Sequence, residues 1–369
     1  MMSLRSWKRN HGDTKKGIRE IHFENRSIGE GHPCFVIAEL GVNHNGDLQI
    51  AKEMISAARE CGVDAVKIQS FRADDFVTDA ELLYEYKSQG RIVHESQHVM
   101  FKRLELRVEW HQHLFNYAKK EGVILFSTPA SSFFVDLLDD LGCPLFKMGS
   151  DDLTNIDLIK TIASKGKPII ISTGMASVED VGEAVEAIHS TGNDSYAILQ
   201  CSSMYPANFE YVNLNVMHTY MEMFDGVVGY SDHTQGSLAV LSAVAMGAKI
   251  IEKHFTLDRS MAGPDHWFSS DPNELKFLME GIRDVEKLQG SNEKKVTKAE
   301  RQNYIDCHRS VFADRDICKG EVITGDMLAL KRPFTGIKPK DMDKIIGKKS
   351  NQIILKNESV KWEAIDKFS

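Results

Sequence analysis

The sequence predicts a closed barrel of eight parallel strands surrounded by helices, a (β/α)8 TIM barrel, followed by a small mainly-β domain. Two observations support this fold class. Eight short apolar runs alternate with helical patterns between about residue 34 and residue 289, and the alternation stops where a charged stretch begins near residue 290. An open doubly wound sheet is the alternative, but no Gly-x-Gly-x-x-Gly follows the first strand, and eight units is the number that closes a barrel.

The same change of pattern sets the domain boundaries. Residues 1–30 form a polar lead-in segment with a short strand predicted at 18–23, and residues 31–290 form the barrel. Residues 291–306 have the composition of a linker, and residues 307–369 form the C-terminal domain. Its short strands are predicted at 310–313, 321–323, 328–330 and 353–355. A domain of about 60 residues buries only a thin core, so we expect it to lean on something larger.

Within the barrel, each strand is predicted from an apolar run and each helix from a 3.6-residue period. The strands are predicted at 34–40, 65–70, 123–128, 145–148, 168–172, 197–201, 227–230 and 250–254. After a first helix that Asp47 caps, helices are predicted at 107–121, 131–141, 155–165, 177–190, 213–223, 237–247 and 273–289. Residues 71–105 break the rhythm because they are charged and weakly periodic, which is typical of an insertion or lid over a site.

Composition excludes several classes of protein. The net charge of −8 gives no general basic field for nucleic acid. The six cysteines are scattered without a Cys-x-x-Cys pair, which favours reduced thiols in a cytoplasmic protein. The N-terminus carries no signal-peptide pattern, and no apolar run approaches the roughly 18 residues of a membrane span.

Candidate functional residues lie at the carboxyl ends of the strands, where parallel barrels build their active sites. His233 and His254 end two consecutive strands, close enough to share one metal ion, and Asp265 follows eleven residues later. Lys67 and Lys147 end two other strands, which indicates a small anionic ligand such as a phosphate ester or a carboxylate. Further polar residues complete this ring: Glu39, Gln69, Thr128, Ser150, Ser172, Ser203, Tyr205, Ser231, Asp232, Glu252 and Lys253.

Taken in order, the strand-end motifs resemble those of the sialic acid synthase family, the bacterial N-acetylneuraminate synthases with their legionaminate and pseudaminate relatives. The motifs are AELGVNHNG (38–46), VKIQ (66–69), FSTP (126–129), FKMGS (146–150), ISTGM (171–175), CSSMYP (201–206), YSDHT (230–234), EKHFT (252–256) and GPDH (263–266). The resemblance runs from about residue 17 to the C-terminus. Residues 309–349 resemble the antifreeze-like (SAF) domain attached to these enzymes.

The resemblance implies a condensation of phosphoenolpyruvate with an N-acylated amino-hexose, such as N-acetylmannosamine, to give a nine-carbon α-keto acid and phosphate. It implies a divalent metal, typically Mn²⁺, on His233 and His254. It places phosphoenolpyruvate among Lys67, Thr128, Lys147, Ser150, Ser172, Ser203 and Ser231. It places Glu39, Gln69, Tyr205 and Asp265 near the sugar and the reacting carbons. Either Glu39 or Asp265 orients or deprotonates the attacking water, and the sequence does not choose between them.

The resemblance also implies a domain-swapped homodimer, in which Arg332 from the C-terminal domain of a partner subunit meets the sugar's acyl group. Two departures from the family pattern fall on the acceptor side. Asp152 stands where a glutamate is usual, and Trp267-Phe268 follow GPDH where small residues are commoner. Two alternatives stay open: a 3-deoxy-keto-acid synthase acting on a phosphorylated sugar, and an inactive barrel that binds carbohydrate.

Overall fold

The computed structural model describes residues 19–78 and 81–366, and the chain divides into two compact units, Met1–Gly290 and Ser291–Ser369. The first eighteen residues of the predicted lead-in and the last three of the C-terminal domain lie outside the described residues. No helix in the described ranges has the length and apolar character needed to cross a membrane.

In chain order, the strands are β1 (Glu20–Phe23), β2 (Arg26–Gly29), β3 (Phe35–Gly41), β4 (Ala65–Ser70), β5 (Leu83–Ser88), β6 (Arg91–Ser96), β7 (Ile124–Pro129), β8 (Phe146–Met148), β9 (Ile169–Ser172), β10 (Tyr196–Cys201), β11 (Val227–Asp232), β12 (Ile250–His254), β13 (Ser310–Ala313) and β14 (Leu328–Lys331). The helices are α1 (Leu48–Glu60), α2 (Ala73–Phe76), α3 (Gln97–Leu104), α4 (Val108–Glu121), α5 (Ser132–Asp140), α6 (Ile156–Ala163), α7 (Val178–His189), α8 (Val216–Met223), α9 (Leu238–Ala245), α10 (Pro272–Gln289) and α11 (Arg301–Cys307). Strands β3, β4 and β7 to β12 close into one parallel barrel, which confirms the predicted fold class.

Burial explains why these segments form barrel strands. Every residue of β3 and of β12 is buried, so both faces of each strand need cover, one from the barrel interior and one from the helix layer. The helices cover the outer face with an apolar stripe, as α1 does with Ala51, Met54 and Ile55. Asp47 caps α1 as predicted, because its side chain accepts hydrogen bonds from two backbone N–H groups of the first turn.

The predicted insertion at 71–105 is more regular than its pattern suggests. Strands β5 and β6 form an antiparallel hairpin whose turn residues Gln89 and Gly90 both have positive φ. Its tip contacts the loop that follows β12, since Ser88 Oγ accepts a hydrogen bond from Gly263 N at 3.1 Å and Gln89 donates one to the carbonyl of Ser260 at 3.0 Å. The hairpin therefore lies against the loop that carries Asp265.

The second unit is built around the antiparallel pair β13 and β14 and has an apolar core of its own. The predicted strands at 321–323 and 353–355 were wrong, because only isolated bridges, at Val322 and at Ile354, form there. The predicted linker was also wrong in part, since its last six residues belong to α11, a helix with no buried residue.

Candidate active site

The carboxyl-terminal rim of the barrel concentrates buried polar atoms that make no hydrogen bond among the described residues. Within the ranges that the structure describes, the buried side-chain nitrogen and oxygen atoms without a hydrogen bond belong to Glu39, Asn43, His44, Ser131, Ser203, Glu252 and His254. All of these residues lie in the last part of a barrel strand or in the loop just after one. Buried polar groups are normally satisfied, so this clustering indicates a site whose partners arrive with a ligand.

Two lysines and two glutamates form the charged centre of the rim. Lys67 Nζ lies 2.7 Å from Glu39 Oε2 and 3.8 Å from Glu252 Oε2. Lys147 Nζ lies 3.9 Å from Glu252 Oε1 and donates a hydrogen bond to Ser172 Oγ at 2.6 Å. All four charged side chains are at most 7% exposed. Such a cluster is tolerated only because the charges balance one another.

Burial is the largest single influence on the pKa values of this cluster. Burial raises the pKa of Glu39 to about 7, against the opposing charge of Lys67. Burial lowers the pKa of Lys147. Burial also works against the charged form of Glu252, but Lys147 and Lys67 outweigh it and lower the pKa of that carboxyl. The two lysines therefore favour the anionic form of Glu252, whereas burial makes Glu39 the more readily protonated carboxyl of the two.

Hydroxyl groups border the lysines on one side. Gly174 N donates a hydrogen bond to Ser150 Oγ at 2.9 Å, and a Cβ added at Gly174 would collide with Ser203 Oγ. The missing side chain of Gly174 thus leaves room for the Ser150 and Ser203 hydroxyls to converge beside Ser172. Serine hydroxyls and lysines in a water-poor cleft are the donors that a phosphate or carboxylate needs.

The two predicted metal ligands are neighbours, as their strand positions predict. The ring centroids of His233 and His254 are 5.2 Å apart, and Tyr205 lies 4.2 Å from His233. Asp265 Oδ2 lies 3.7 Å from His254 Nδ1, and burial raises the pKa of Asp265 to about 6. Phe268 covers His254 with its ring at 5.3 Å. The histidines therefore sit in an aromatic pocket that Asp265 borders.

These residues fit an open metal site. His254 Nδ1 is buried and has no hydrogen bond among the described residues. Burial holds the pKa of His254 well below its usual value, which keeps the ring neutral as a metal ligand requires. His233 Nδ1 already bonds the Ser202 carbonyl at 2.8 Å, which leaves Nε2 for a metal. Over 19–78 and 81–366 no three His, Cys, Asp or Glu side chains are grouped to hold a metal, so water and substrate oxygens would complete the shell.

The remaining predicted residues belong to the barrel unit, except for one residue of the second unit. Thr128 accepts a hydrogen bond from Lys67 Nζ at 3.1 Å, and Ser231 donates one to Glu252 Oε1 at 2.9 Å. Gln69 lies two residues after Lys67 on β4 and is half-buried. Asp152 is half-buried in a short 3₁₀ turn, and its side chain accepts a long hydrogen bond of 3.4 Å from Asn155 Nδ2. Arg332 belongs to the second unit, where it follows β14 and is exposed.

The sequence interpretation left one residue of the ring without a role and misplaced two others. Glu252 had no assigned role, although it lies two residues before His254 on the same strand and so shares its face. Asp232 and Lys253 were expected to face the ligand with the rest of the ring, and this was wrong. They pair with each other at 2.6 Å, one residue out of phase with Ser231 and Glu252, whose side chains bond across the same two strands.

Comparison with known proteins identifies the family of this chain. A model of the NeuB family matches residues 54–294, and an SAF domain model matches residues 308–366. The chain belongs to the NeuB family. Among NeuB relatives, the N,N'-diacetyllegionaminic acid synthase of Legionella pneumophila is 41% identical over 342 residues, which cover 92% of this chain and 96% of that protein. The N-acetylneuraminate-9-phosphate synthase of Homo sapiens is 35% identical over 347 residues, 92% of this chain and 95% of that one.

A solved structure extends the likeness to three dimensions. The N-acetylneuraminic acid synthetase of Leptospira borgpetersenii, crystallised with citrate, superposes with a TM-score of 0.71 and 30% sequence identity, over 79% of this chain and 96% of that one. This NeuB protein is accordingly an enzyme of the sialic and nonulosonic acid synthase family, and the resemblance seen in its motifs is confirmed.

Proposed function

We propose that this enzyme condenses phosphoenolpyruvate with an unphosphorylated N-acylated amino-hexose, N-acetylmannosamine or a related sugar, to give a nine-carbon α-keto acid and inorganic phosphate. The observation that carries the proposal is the buried cluster of Lys67 and Lys147, whose counter-charges Glu39 and Glu252 retain unsatisfied oxygens. A ligand with a phosphate and a carboxylate supplies anions for both lysines and acceptors for the serine hydroxyls.

On binding, phosphoenolpyruvate would replace Glu39 as the anion paired with Lys67. The Glu39–Lys67 contact at 2.7 Å is the shortest ion pair in the cluster, and Glu39 is the carboxyl whose pKa burial raises to about 7. Once the ligand neutralises Lys67, Glu39 loses its main stabilising charge and becomes a stronger base. Ser150, Ser172 and Ser203 then hold the ligand's oxygens in place, which keeps its C3 fixed toward the acceptor.

The reaction needs an electrophile, a nucleophile and a proton acceptor. C3 of phosphoenolpyruvate attacks the sugar aldehyde carbon, a C–C bond forms, and positive charge develops at C2. Water adds at C2 and gives one proton to Glu39, which passes it to the alkoxide formed at the former aldehyde carbon. The tetrahedral adduct then collapses to the C2 ketone by breaking the C–O bond to phosphate, which leaves with the second water proton. Glu39 Oε1 and Asp265 Oδ2 both lie near Gly41, so Asp265 is placed to orient the same water or the sugar hydroxyls.

We assign the metal site to His233 and His254, with Mn²⁺ as the favoured ion because nitrogen and oxygen donors in a partly open shell suit it. When bound there, a divalent cation polarises the aldehyde oxygen of the acceptor. Tyr205 and Phe268 shield the two imidazoles from bulk water. The neutral His254 ring matches this role, since a protonated ring would repel the cation.

The test is phosphate release with phosphoenolpyruvate, Mn²⁺ and a panel of sugars. We expect release with N-acetylmannosamine or a deoxy diamino relative, and a product nine carbons long by mass spectrometry. Asp152 is shorter than the usual glutamate and Trp267 is bulkier than the usual small residue, so the panel has to show which acylated sugar is preferred. Release with only a sugar phosphate would overturn the unphosphorylated acceptor, and a product shorter than nine carbons would then assign the protein to the 3-deoxy-keto-acid synthases. No release with any sugar would leave a carbohydrate-binding barrel.

We further propose a domain-swapped homodimer in which Arg332 reaches the acceptor's acyl group in the partner subunit's barrel. The support is the family membership, together with an exposed guanidinium on a small unit of its own. Complementation tests it: subunits of His233→Ala and Arg332→Ala are mixed under exchange. If sites are shared, one site of each heterodimer carries neither lesion and activity exceeds both parents. No gain despite proven exchange would mean that sites are not shared or that Arg332 lies outside them.

A further inference from the structure

A buried ion pair lies directly behind the two rim histidines. Lys253 Nζ is 2.6 Å from Asp232 Oδ2, and the two side chains are 2% and 0% exposed. They are register partners on β11 and β12, and each is the chain neighbour of a histidine, His233 or His254. The pair therefore ties together the two strand ends from which the proposed metal ligands extend.

The ion pair is completed by hydrogen bonds within the same two strand ends. Asp232 Oδ1 accepts from Tyr230 Oη at 2.8 Å and from Thr234 N at 2.9 Å, and Asp232 Oδ2 accepts from Thr234 Oγ1 at 3.2 Å. Lys253 donates to the Thr234 carbonyl. Asp232 is therefore bonded to residues on both sides of His233, and Lys253 is bonded to the carbonyl of the residue after His233. These bonds restrict rotation of the backbone that carries His233.

This network contrasts with the ligand-facing cluster one residue away. Glu252 and His254, on the opposite face of β12, each retain a buried atom without a hydrogen bond among the described residues. Asp232 and Lys253 retain none there, and neither faces the ligand side. A fully bonded pair next to an incompletely bonded site is the arrangement expected of a support that fixes ligands in advance.

We propose that Asp232 and Lys253 are positioning residues that hold His233 and His254 at the separation needed to bind a divalent cation before substrates arrive. The inference rests on the proposed function in taking these two histidines as the metal ligands. Its distinctive consequence is that metal affinity depends on the pair even when the fold does not.

The experiment is Mn²⁺ titration of the metal-stripped enzyme without substrates, by calorimetry and by electron paramagnetic resonance of free Mn²⁺. Lys253→Met and Asp232→Asn each leave one partner behind, and a lone buried charge destabilises the fold. The double variant Asp232→Asn/Lys253→Met removes both charges and keeps an acceptor for Thr234 N. We expect its melting temperature to recover toward wild type while its Mn²⁺ Kd rises about tenfold or more.

Two further variants keep the outcome decisive. Tyr230→Phe removes one hydrogen bond to Asp232 and preserves the ring, so we expect a smaller rise in Kd of about two- to fivefold. Arg283→Met breaks an ion pair at the opposite end of the barrel and should lower stability without changing Kd. A Kd within twofold of wild type in the folded double variant would overturn the proposal, as would an unchanged Kd in Tyr230→Phe if the double variant does not fold. If wild-type enzyme binds no Mn²⁺, the metal site itself is wrong, which is a different result from equal binding by all variants.

Discussion

The two ends of the barrel differ in how fully their charged side chains are bonded. At the amino end, Asp64 accepts a hydrogen bond from Val36 N at 2.9 Å and pairs with Arg283 at 3.3 Å, and Arg283 also donates to the Cys34 carbonyl at 3.0 Å. At the carboxyl end, Glu39 and Glu252 keep oxygens without a hydrogen bond among the described residues. The charged groups named at the amino end are hydrogen-bonded within the protein. Those at the carboxyl end keep acceptor oxygens to which a ligand can bind.

This contrast separates residues that stabilise the fold from residues that bind. A satisfied ion pair across strand and helix, such as Arg283 with Asp64, ties elements together and gains nothing from a ligand. An incompletely satisfied cluster lowers the free energy of unfolding of the empty protein, and a ligand that completes it is bound more tightly. Substitutions at the two ends should therefore fail in different assays.

The largest effect is expected from the histidine pair. His233→Ala removes one of two protein donors to the proposed metal, so we expect metal content and turnover to fall together, turnover by at least about a hundredfold. Metal analysis and phosphate release on the same preparation measure both. Chelation of the wild-type enzyme should reproduce the loss, and Mn²⁺ should restore activity best. Full turnover in a chelated, metal-free sample would refute the metal assignment.

Acid stability provides a second test of the rim. Burial lowers the pKa of His44 from 6.5 to about 4, so the folded state resists a proton that the unfolded state takes up. The stabilisation is present above pH 6.5 and is lost as the pH falls toward 4, by ~3 kcal/mol. His44→Gln should therefore lose ~3 kcal/mol less than wild type between pH 7 and pH 4 in urea unfolding. The exposed His113→Gln is the control.

Other rim groups titrate in the opposite sense, so the difference between variants matters rather than the wild-type curve. Burial raises the pKa of Glu39 to about 7, and its contribution to stability therefore grows as the pH falls below 7. An identical pH dependence in His44→Gln and wild type would show that His44 does not carry the predicted proton linkage.

The smallest effect is expected at the amino end. Arg283→Met removes hydrogen bonds to Cys34, Asp64 and Glu286, and we expect it to lower the free energy of unfolding by about 1–3 kcal/mol. The KM values for phosphoenolpyruvate and sugar should stay unchanged, because Arg283 lies at the far end of the strands. A rise in either KM without loss of stability would break the division between the two ends.

The fold was predictable because barrel strands and helices carry strong local patterns. Runs such as Val66 to Ile68 are buried on both faces, and α1 shows both its cap and its apolar stripe in the sequence. The β5–β6 hairpin was missed because its residues are largely exposed, so its alternation has little apolar contrast. The strand predicted near Ile354 does not form, because this segment makes only an isolated bridge among the described residues.

The site was predictable to the level of which strand ends meet, since carboxyl ends of parallel strands share one rim. His233 with His254, and Lys67 with Lys147, were found in this way. The face on which a strand-end side chain lies was harder to predict. Asp232 and Lys253 are as polar as their neighbours, and only the alternation of side chains along the strand directs them away from the ligand side. The contacts of Glu252 with Lys67 and Lys147 could not be predicted from the sequence, because both lysines come from distant strands.

The most direct test of the account is calorimetric titration of phosphoenolpyruvate into the wild-type enzyme, Lys147→Met and Arg283→Met. We predict one binding site per chain in wild type and a Kd about ten- to a hundredfold weaker in Lys147→Met, from loss of a charge-assisted contact. Arg283→Met should bind as wild type does despite its lower stability. Absence of binding to the wild-type enzyme, or equal weakening in both variants, would contradict the claim that the rim's buried lysines await this ligand.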